Sequence, residues 1–257
     1  MKDQKVLVEY QIPLPGGYYR IGMKTGWSTF VPGQFGMLEV PRQDGVLLRR
    51  PFSFARQLGA VTEILYKAVG RGTEALSRVS PGQNLRLLGP LGHGFSEPQG
   101  EGEWVGVAGG YGIAPFLEMA AQMQKKGREL RLFYGARSEK DLIYIQELKE
   151  LKVKLYLSTQ DGSAGARGLV TEALQKSYAE KGPALIWACG PTALLAAVQA
   201  WAQAREVACE LSVEETMGCG TGVCLGCVVR DRSGHYRRAC IEGPVFSGDQ
   251  ILMQAGI

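Results

Sequence analysis

Four cysteines near the C-terminus have a spacing that is typical of an iron–sulfur site. Cys219, Cys224, Cys227 and Cys240 follow the pattern C-x4-C-x2-C-x12-C. A C-x4-C-x2-C motif with a distant fourth cysteine is typical of plant-type [2Fe–2S] clusters, and the glycines between the cysteines let the backbone wrap closely round such a cluster. The spacing therefore predicts a [2Fe–2S] cluster. The alternatives are a structural zinc ion, although only one short C-x2-C knuckle is present, and inert buried thiols.

A glycine-rich turn is a second candidate site. The sequence G-G-Y-G at residues 109–112 follows an apolar segment at 105–108 and precedes a predicted helix. Free N–H groups and the helix dipole at such a turn favour an anion such as a pyrophosphate. The motif departs from the Rossmann fingerprint, because Pro115 replaces the third glycine and the next strand runs into Gly-Ala-Arg at 135–137 without an acidic residue. A purely structural turn is the alternative reading.

A third candidate lies in the first hundred residues. The sequence Arg50-Pro51-Phe52-Ser53 places a guanidinium, an aromatic ring and a hydroxyl together in a predicted strand. Alternation along a strand puts Arg50 and Phe52 on one face, where they could contact a phosphate and a ring. Further on, the sequence G-R-G-T at 70–73 precedes a short predicted helix and is a second possible phosphate turn. The alternative is an ordinary strand with one exposed arginine.

Composition excludes several classes of protein. The chain has 257 residues, of which 45% are hydrophobic and 21% charged, and its formal net charge is +4. These values are ordinary for globular proteins, exclude coiled coils and disordered chains, and argue against nucleic-acid binding. The 35 glycines, about twice the usual share, predict tight turns or a backbone close to a bulky cofactor.

The sequence also predicts a cytoplasmic protein with no membrane span. The N-terminal segment has no apolar region or cleavage site of a secretion signal. The uncharged segment 183–204 is as long as a spanning helix, but Cys-Gly-Pro-Thr at 189–192 predicts a buried strand, a turn and a helix instead. In the cytoplasm, six cysteines are more typical of metal binding or catalysis than of disulfides.

The first part of the chain must position the Arg-Pro-Phe-Ser sequence, and its pattern is that of short strands. Glycine and proline separate these segments, which favours an antiparallel barrel or sandwich. A short helix is predicted at 73–79. The predicted strands cover residues 5–11, 18–24, 34–40, 47–54, 61–69 and 84–88.

The middle of the chain alternates strands and helices and must position the glycine-rich turn. This alternation predicts an open parallel sheet with helices on both faces. The expected strands are 104–108, 130–134, 153–158, 185–188 and 207–213, and the expected helices are 115–126, 141–151, 168–177 and 192–203. The tail after Glu214 is too short to bury a good core alone, so a metal centre would help it to fold.

The order of these motifs resembles the ferredoxin reductase superfamily. The cysteine tail, with Cys240 followed by G-P-V-F at 243–246, is similar to the electron transfer subunit of class 1B dihydroorotate dehydrogenase. The resemblance covers nearly the whole chain. It implies three domains, namely a FAD-binding antiparallel β-barrel at 1–98, a NAD-binding parallel α/β domain at 99–207 and a [2Fe–2S] module at 208–257.

The resemblance also implies which residues bind the cofactors. Residues that would contact FAD are Arg50 at the pyrophosphate, Phe52 and Ser53 at the flavin, and Pro51, Leu65, Tyr66, Lys67, Gly72 and Thr73 around the rest. Residues that would face the nicotinamide dinucleotide are Gly109, Gly110, Gly112, Cys189, Gly190 and Pro191. Tyr111 departs from a turn that is often all glycine. Because an arginine can accommodate a 2′-phosphate, Arg137 leaves open whether the nucleotide is NADH or NADPH.

The function implied is electron transfer without a substrate site. A flavin converts between the hydride of NADH and the single electrons of an iron–sulfur cluster. By the resemblance, the partner is an FMN-containing dihydroorotate dehydrogenase catalytic subunit in pyrimidine biosynthesis, with two copies of each subunit. Arg237 and Arg238 lie just before Cys240 and are either part of a solvated face or a docking surface for the partner. The alternatives are an NAD(P)H-dependent flavin and iron–sulfur reductase that serves another acceptor, and a non-catalytic scaffold with a zinc tail.

Overall fold

A closed antiparallel barrel forms the N-terminal part of the chain. The computed structural model describes residues 1–41 and 46–253. The barrel strands are β1 (Lys2–Leu14), β2 (Tyr18–Lys24), β3 (Phe35–Glu39), β4 (Arg50–Leu58), β5 (Val61–Lys67) and β6 (Asn84–Leu91). They close in the order β1-β2-β5-β4-β3-β6. Burial alternates along β6, and its buried Leu85 and Leu87 pack in the barrel core. The predicted barrel is therefore confirmed, and α1 (Arg71–Ser77) follows β5.

A seven-stranded sheet with helices on both faces forms the middle of the molecule. Its strands are β7 (Trp104–Gly109), β8 (Arg131–Ala136), β9 (Lys154–Thr159), β10 (Ala166–Arg167), β11 (Leu185–Cys189), β12 (Ala208–Ser212) and β15 (Val245–Ser247). Its helices are α2 (Ala114–Lys125), α3 (Ile145–Glu150), α4 (Val170–Ser177) and α5 (Thr192–Gln203). Side chains of α4 and α5 pack on one face of the sheet, and those of α2 and α3 pack on the other.

The strand order is β10-β9-β8-β7-β11-β12-β15, and all pairs are parallel except β12 with β15. The predicted parallel α/β fold is confirmed. The uncharged segment 183–204 folds as β11, a turn and α5, as predicted. Among the helices that the structure describes, none is long and apolar enough to cross a membrane.

The structure divides the helix predicted at residues 141–151. A 3-10 turn (Glu139–Asp141) is followed by α3, which begins only at Ile145. The intervening Asp141 and Tyr144 contact the barrel, because Asp141 accepts a hydrogen bond from Lys67 and Tyr144 donates one to Glu63. Tertiary contacts with the barrel therefore override the local helical pattern.

Over residues 208–253, the C-terminal segment has no core separate from the rest of the molecule. A short hairpin pairs β13 (Val228–Arg230) with β14 (Tyr236–Arg238), and the chain then returns to the sheet through β15. Its buried residues share one apolar cluster with barrel and sheet residues, including Met37, Val107, Cys227, Cys240 and Phe246. The predicted division into 1–98, 99–207 and 208–257 stays a prediction, and β12 extends the sheet beyond residue 207.

Candidate functional site

The cysteine loop brings the four thiols together in two pairs. Cys219 and Cys224 lie within hydrogen-bonding range of each other, and so do Cys227 and Cys240. Cys224 is exposed, Cys219 is half-buried, and the other two are buried. Across residues 1–41 and 46–253, no three His, Cys, Asp or Glu side chains are arranged to hold a metal ion. Two thiol pairs fit a two-iron cluster, in which each iron needs two protein ligands.

Backbone N–H groups point at the sulfur atoms. The N–H groups of Thr221 and Cys224 donate to Cys219 Sγ at 3.4 and 3.5 Å, and that of Gly222 donates to Cys240 Sγ at 3.2 Å. The hydrogen bonds from Cys224 and Thr221 lower the pKa of Cys219 to about 5. Burial and the neighbouring Cys227 raise the pKa of Cys240 to about 12. Donors directed at sulfur stabilise thiolates, which are the form that binds iron.

Gly222 is needed at its position in this loop. Its φ is +78°, which disfavours any residue with a side chain. A Cβ atom here would also lie 2.5 Å from Ile241 Cδ1. Glycine therefore allows the sharp turn that directs the Gly222 N–H group at Cys240.

A cavity of about 320 Å³ lies between the barrel and the sheet. Barrel residues form one wall, and the segment that leads to the cysteine loop forms another. Seven of the nine residues predicted to contact FAD line it, namely Pro51, Phe52, Ser53, Leu65, Tyr66, Lys67 and Thr73. The lining also includes Cys189, Ser212, Glu214, Glu215 and Met217.

The two remaining predicted FAD residues, Arg50 and Gly72, lie side by side. A Cβ atom at Gly72 would approach Arg50 Nε to 3.1 Å. The Arg50 guanidinium donates to the carbonyl groups of Leu48 and Arg49, at 2.8 and 3.4 Å. It pairs with no carboxylate among the described residues, so its charge is available to an anion such as a pyrophosphate.

A second cavity, of about 630 Å³, opens at the carboxyl ends of the parallel strands. Gly109, Gly110 and Pro191 line it, whereas Gly112 and Cys189 line the smaller cavity. Gly190 touches this wall, because a Cβ atom there would lie 3.0 Å from the Gly109 nitrogen. Ligands of open parallel sheets bind at this edge. The predicted dinucleotide residues therefore lie around two adjoining cavities.

The two cavities share a wall made of Lys67, Val69 and Tyr111. The Tyr111 hydroxyl donates to Glu214 Oε2 at 3.0 Å. Burial, followed by the Glu214 charge, raises the pKa of Tyr111 to about 12. Desolvation by the surrounding cavity walls also raises the pKa of Glu214, although the residue is exposed. Groups bound in the two cavities would meet at this shared wall.

Sequence reasoning missed several residues of these walls. Glu214 follows β12 at the carboxyl edge of the sheet, a position at which open sheets place ligand-binding residues. That position could have indicated Glu214 from the sequence. Tyr18, Asp141 and Leu169 gave no comparable signal, since they reach the larger cavity only through the packing of the barrel and of helix α4.

The fold, the two adjoining cavities and the cysteine loop define a ferredoxin reductase-like oxidoreductase. Residues 214–252 match the family profile of the iron–sulfur cluster binding domain of dihydroorotate dehydrogenase B, and residues 107–200 match that of the oxidoreductase NAD-binding domain. The chain belongs to the family of dihydroorotate dehydrogenase B electron transfer subunits, as the relatives below show. The resemblance predicted from the motifs is confirmed.

Two relatives cover almost the whole chain. Both are named dihydroorotate dehydrogenase B (NAD(+)), electron transfer subunit. The protein from Desulforamulus reducens is 32% identical, and the match covers 98% of each chain. The protein from Geobacillus sp. is 34% identical, and the match covers 98% of this chain and 100% of the relative.

Solved structures agree with the fold. One is a structure of NADH-dependent reduced ferredoxin-NADP oxidoreductase, described for flavin-based electron bifurcation. It is 29% identical with a TM-score of 0.85, and the match covers 96% of this chain and 90% of that chain. A structure of flavohemoglobin from Malassezia yamatoensis with bound FAD and heme is 18% identical, with a TM-score of 0.65. That match covers 80% of this chain and 58% of the flavohemoglobin chain. The second likeness concerns the fold alone.

Proposed function

We propose that this chain passes electrons between NAD and a dihydroorotate dehydrogenase catalytic subunit, through FAD and a [2Fe–2S] cluster. The partner holds FMN and the dihydroorotate site, and the reaction belongs to pyrimidine biosynthesis. The complex contains two copies of each subunit and works in the cytoplasm. The family membership and the matches to iron–sulfur and NAD-binding domains support this proposal.

The observation that carries the proposal is that the two cavities adjoin each other and that the smaller one leads to the cysteine loop. The smaller cavity shares Lys67, Val69 and Tyr111 with the larger cavity, and its lining also includes Met217, two residues before Cys219. A flavin, when bound, converts between hydride and single-electron transfer. In the proposed arrangement, Arg50 holds the FAD pyrophosphate, and Phe52 and Ser53 line the flavin. The Gly109–Gly112 turn and Pro191 position the nicotinamide dinucleotide.

The cysteine loop offers the partner an apolar surface. Val223 is 80% exposed and Leu225 is 59% exposed, and they flank the exposed Cys224. Arg237 and Arg238, the docking residues predicted from the sequence, each pair with a carboxylate, those of Asp231 and Glu242, at 3.0 Å. The proposed docking surface is therefore the Val223–Leu225 loop, next to the cluster.

Charge substitutions at this loop test the docking surface. Val223→Asp and Leu225→Asp should lower the rate of dihydroorotate-dependent NAD reduction in the complex at least tenfold relative to NADH oxidation by ferricyanide. The matched control is Leu58→Asp, which places the same charge at an exposed leucine of the barrel. Equal rate ratios in all three variants would contradict docking at this loop.

A visible spectrum and an electron-acceptor assay test the function as a whole. The purified chain should show flavin and iron–sulfur absorption, and it should oxidise NADH with ferricyanide as the acceptor. A colourless chain that contains zinc would contradict the proposal. Co-purification of a partner other than an FMN-containing dehydrogenase would point to the alternative, a reductase that serves another acceptor.

A further inference from the structure

One ion pair joins the barrel to the α/β sheet at the wall that the two cavities share. Lys67, the last residue of β5, lines both cavities, and Asp141, the last residue of the 3-10 turn, lines the larger one. The Lys67 Nζ atom lies 3.1 Å from Asp141 Oδ1, and the Asp141 side chain is only 9% exposed. Removing one partner of such a shielded pair leaves an unpaired charge behind, which is costly.

The Lys67 side chain is held from the barrel side by an aromatic ring. Its ammonium lies 4.5 Å from the centroid of the Tyr18 ring, a distance typical of a cation–π contact. Tyr18 is buried, begins β2 and stands directly opposite Lys67 in the antiparallel pair of β2 with β5. The ring and the Asp141 carboxylate together fix where the ammonium lies.

Asp141 is held from the sheet side. Its Oδ2 atom accepts a hydrogen bond from Ser138 Oγ at 3.1 Å, and its backbone carbonyl accepts one from the Tyr134 hydroxyl at 3.1 Å. Tyr134 is fully buried on β8, and its oxygen accepts a hydrogen bond from the Ile143 N–H group at 3.0 Å. Burial would raise the pKa of Asp141, but hydrogen bonds from Lys67 and Ser138 outweigh burial and hold that pKa below its ordinary value. The carboxylate is therefore ionised at neutral pH.

The pairing distinguishes Lys67 from the other cation proposed to act at these cavities. Arg50 pairs with no carboxylate among the described residues, so its charge is available to a phosphate. The Lys67 charge is already compensated by Asp141, and a phosphate placed beside the pair would be repelled by the carboxylate. The contacts of Lys67 are those of a group that joins two parts of the molecule.

From this geometry we infer that the Lys67–Asp141 pair is a positioning link, which sets how the flavin and the nicotinamide face each other across the shared wall. The inference rests on the proposed function, since that function places these two groups in the two cavities. Neither side chain takes part in the chemical step. A misplacement of about 1 Å can slow a reaction on the order of a hundredfold, so the link affects the rate more than it affects binding.

Rapid-mixing measurement of FAD reduction by NADH separates positioning from binding. In Asp141→Asn and in Lys67→Met, the rate constant at saturating NADH should fall at least fivefold, whereas the dissociation constant of FAD should change less than twofold. The double variant should be no slower than the slower single variant, because both changes break the same link. The control is Lys126→Met, which breaks an exposed ion pair with Glu97 at 2.7 Å and should keep the rate.

Hydrogen–deuterium exchange measures the link without relying on activity. The backbone N–H groups of Asp141, Leu142 and Ile143 donate to Ser138, Glu139 and Tyr134. Peptides that cover residues 138–144 should therefore exchange at least threefold faster in Asp141→Asn and Lys67→Met than in the unaltered holoprotein. The same peptides should exchange at the unaltered rate in Lys126→Met.

Three results would overturn the inference alone. The first is an unchanged or faster rate in Asp141→Asn, because Lys67 would then be a phosphate ligand that Asp141 restrains. The second is a double variant slowed by the product of the two single effects, and the third is unchanged exchange over residues 138–144. Failure of NADH to reduce FAD in the unaltered protein would instead overturn the proposed function.

Discussion

Backbone N–H groups, rather than charged side chains, are the donors that reach the cysteine thiols. Three such groups, from Thr221, Gly222 and Cys224, point at two sulfur atoms. At the residue scale this explains the glycine content of the loop, because a bare backbone brings N–H groups close to sulfur. The cysteine spacing was sufficient to predict an iron–sulfur domain, which the family match at residues 214–252 confirms, and the four cysteines as its ligands stay a prediction.

Replacing Cys227 with Ser should remove the cluster and leave FAD bound. Cys227 is buried and pairs with Cys240, whereas the proposed flavin residues lie on barrel strands. Iron analysis should fall from about two irons per chain to near zero, with the flavin absorption retained. Cys209→Ser is the matched control, because Cys209 is a buried thiol on β12 outside the quartet. Full iron content in Cys227→Ser would refute the assignment.

Replacing Arg50 with Ala should weaken FAD binding. The substitution removes a charge-assisted contact to the pyrophosphate that is worth about 1.5–3 kcal/mol, or about tenfold to a hundredfold in affinity. Arg49→Ala is the control, since Arg49 pairs with Asp3 at 3.0 Å, whereas Arg50 pairs with no carboxylate among the described residues. Titration of the apoprotein with FAD measures both variants. Unchanged affinity in Arg50→Ala would make Arg50 an ordinary surface residue.

At the scale of elements, a buried polar network joins the barrel to the α/β sheet. Glu63 on β5 is fully buried and accepts hydrogen bonds from Tyr10 at 2.7 Å, Arg20 at 3.0 Å and Tyr144 at 2.9 Å. Arg20 also pairs with Glu147 of α3 at 2.6 Å. The network fixes α3 against the barrel, and both cavities lie between these two parts of the molecule.

Replacing Tyr144 with Phe should destabilise this junction. The change leaves the buried Glu63 carboxylate with one donor fewer, at a cost of about 1–3 kcal/mol. It also removes a contact that helps hold Tyr144 at a φ of +64°, which is uncommon for a residue with a side chain. Urea unfolding measures the loss. Tyr236→Phe, at an exposed tyrosine of β14, should change stability by less than about 0.5 kcal/mol. Equal stability of the two variants would contradict the role of the network.

This network also explains why the sequence pattern predicts one helix incorrectly. Periodicity correctly predicted α5 at residues 192–203, because its apolar face packs on the sheet. The same reasoning predicted one helix at 141–151, where contacts of Asp141 and Tyr144 with the barrel interrupt the helix. The three-residue strand β15 was also missed, since so short a segment has no measurable alternation.

At the scale of the whole molecule, three parts of the chain form one continuous set of sites. The barrel, the sheet and the cysteine tail each supply a wall of the smaller cavity, and the tail shares its buried core with the other two. Sequence motifs identified each part, because each has its own residue pattern. They could not show the wall formed by Lys67, Val69 and Tyr111, which exists only when the barrel packs against the sheet.

The division of labour between this chain and its partner is the central claim, and a reconstitution assay tests it most directly. The chain is assayed anaerobically with dihydroorotate and NAD, alone and after addition of the FMN-containing catalytic subunit, with NADH oxidation by ferricyanide as the control for an intact chain. We predict ferricyanide reduction by the chain alone, and formation of orotate and NADH only after the partner is added. Orotate formation by the isolated chain would contradict the account, because the chain would then contain a substrate site of its own.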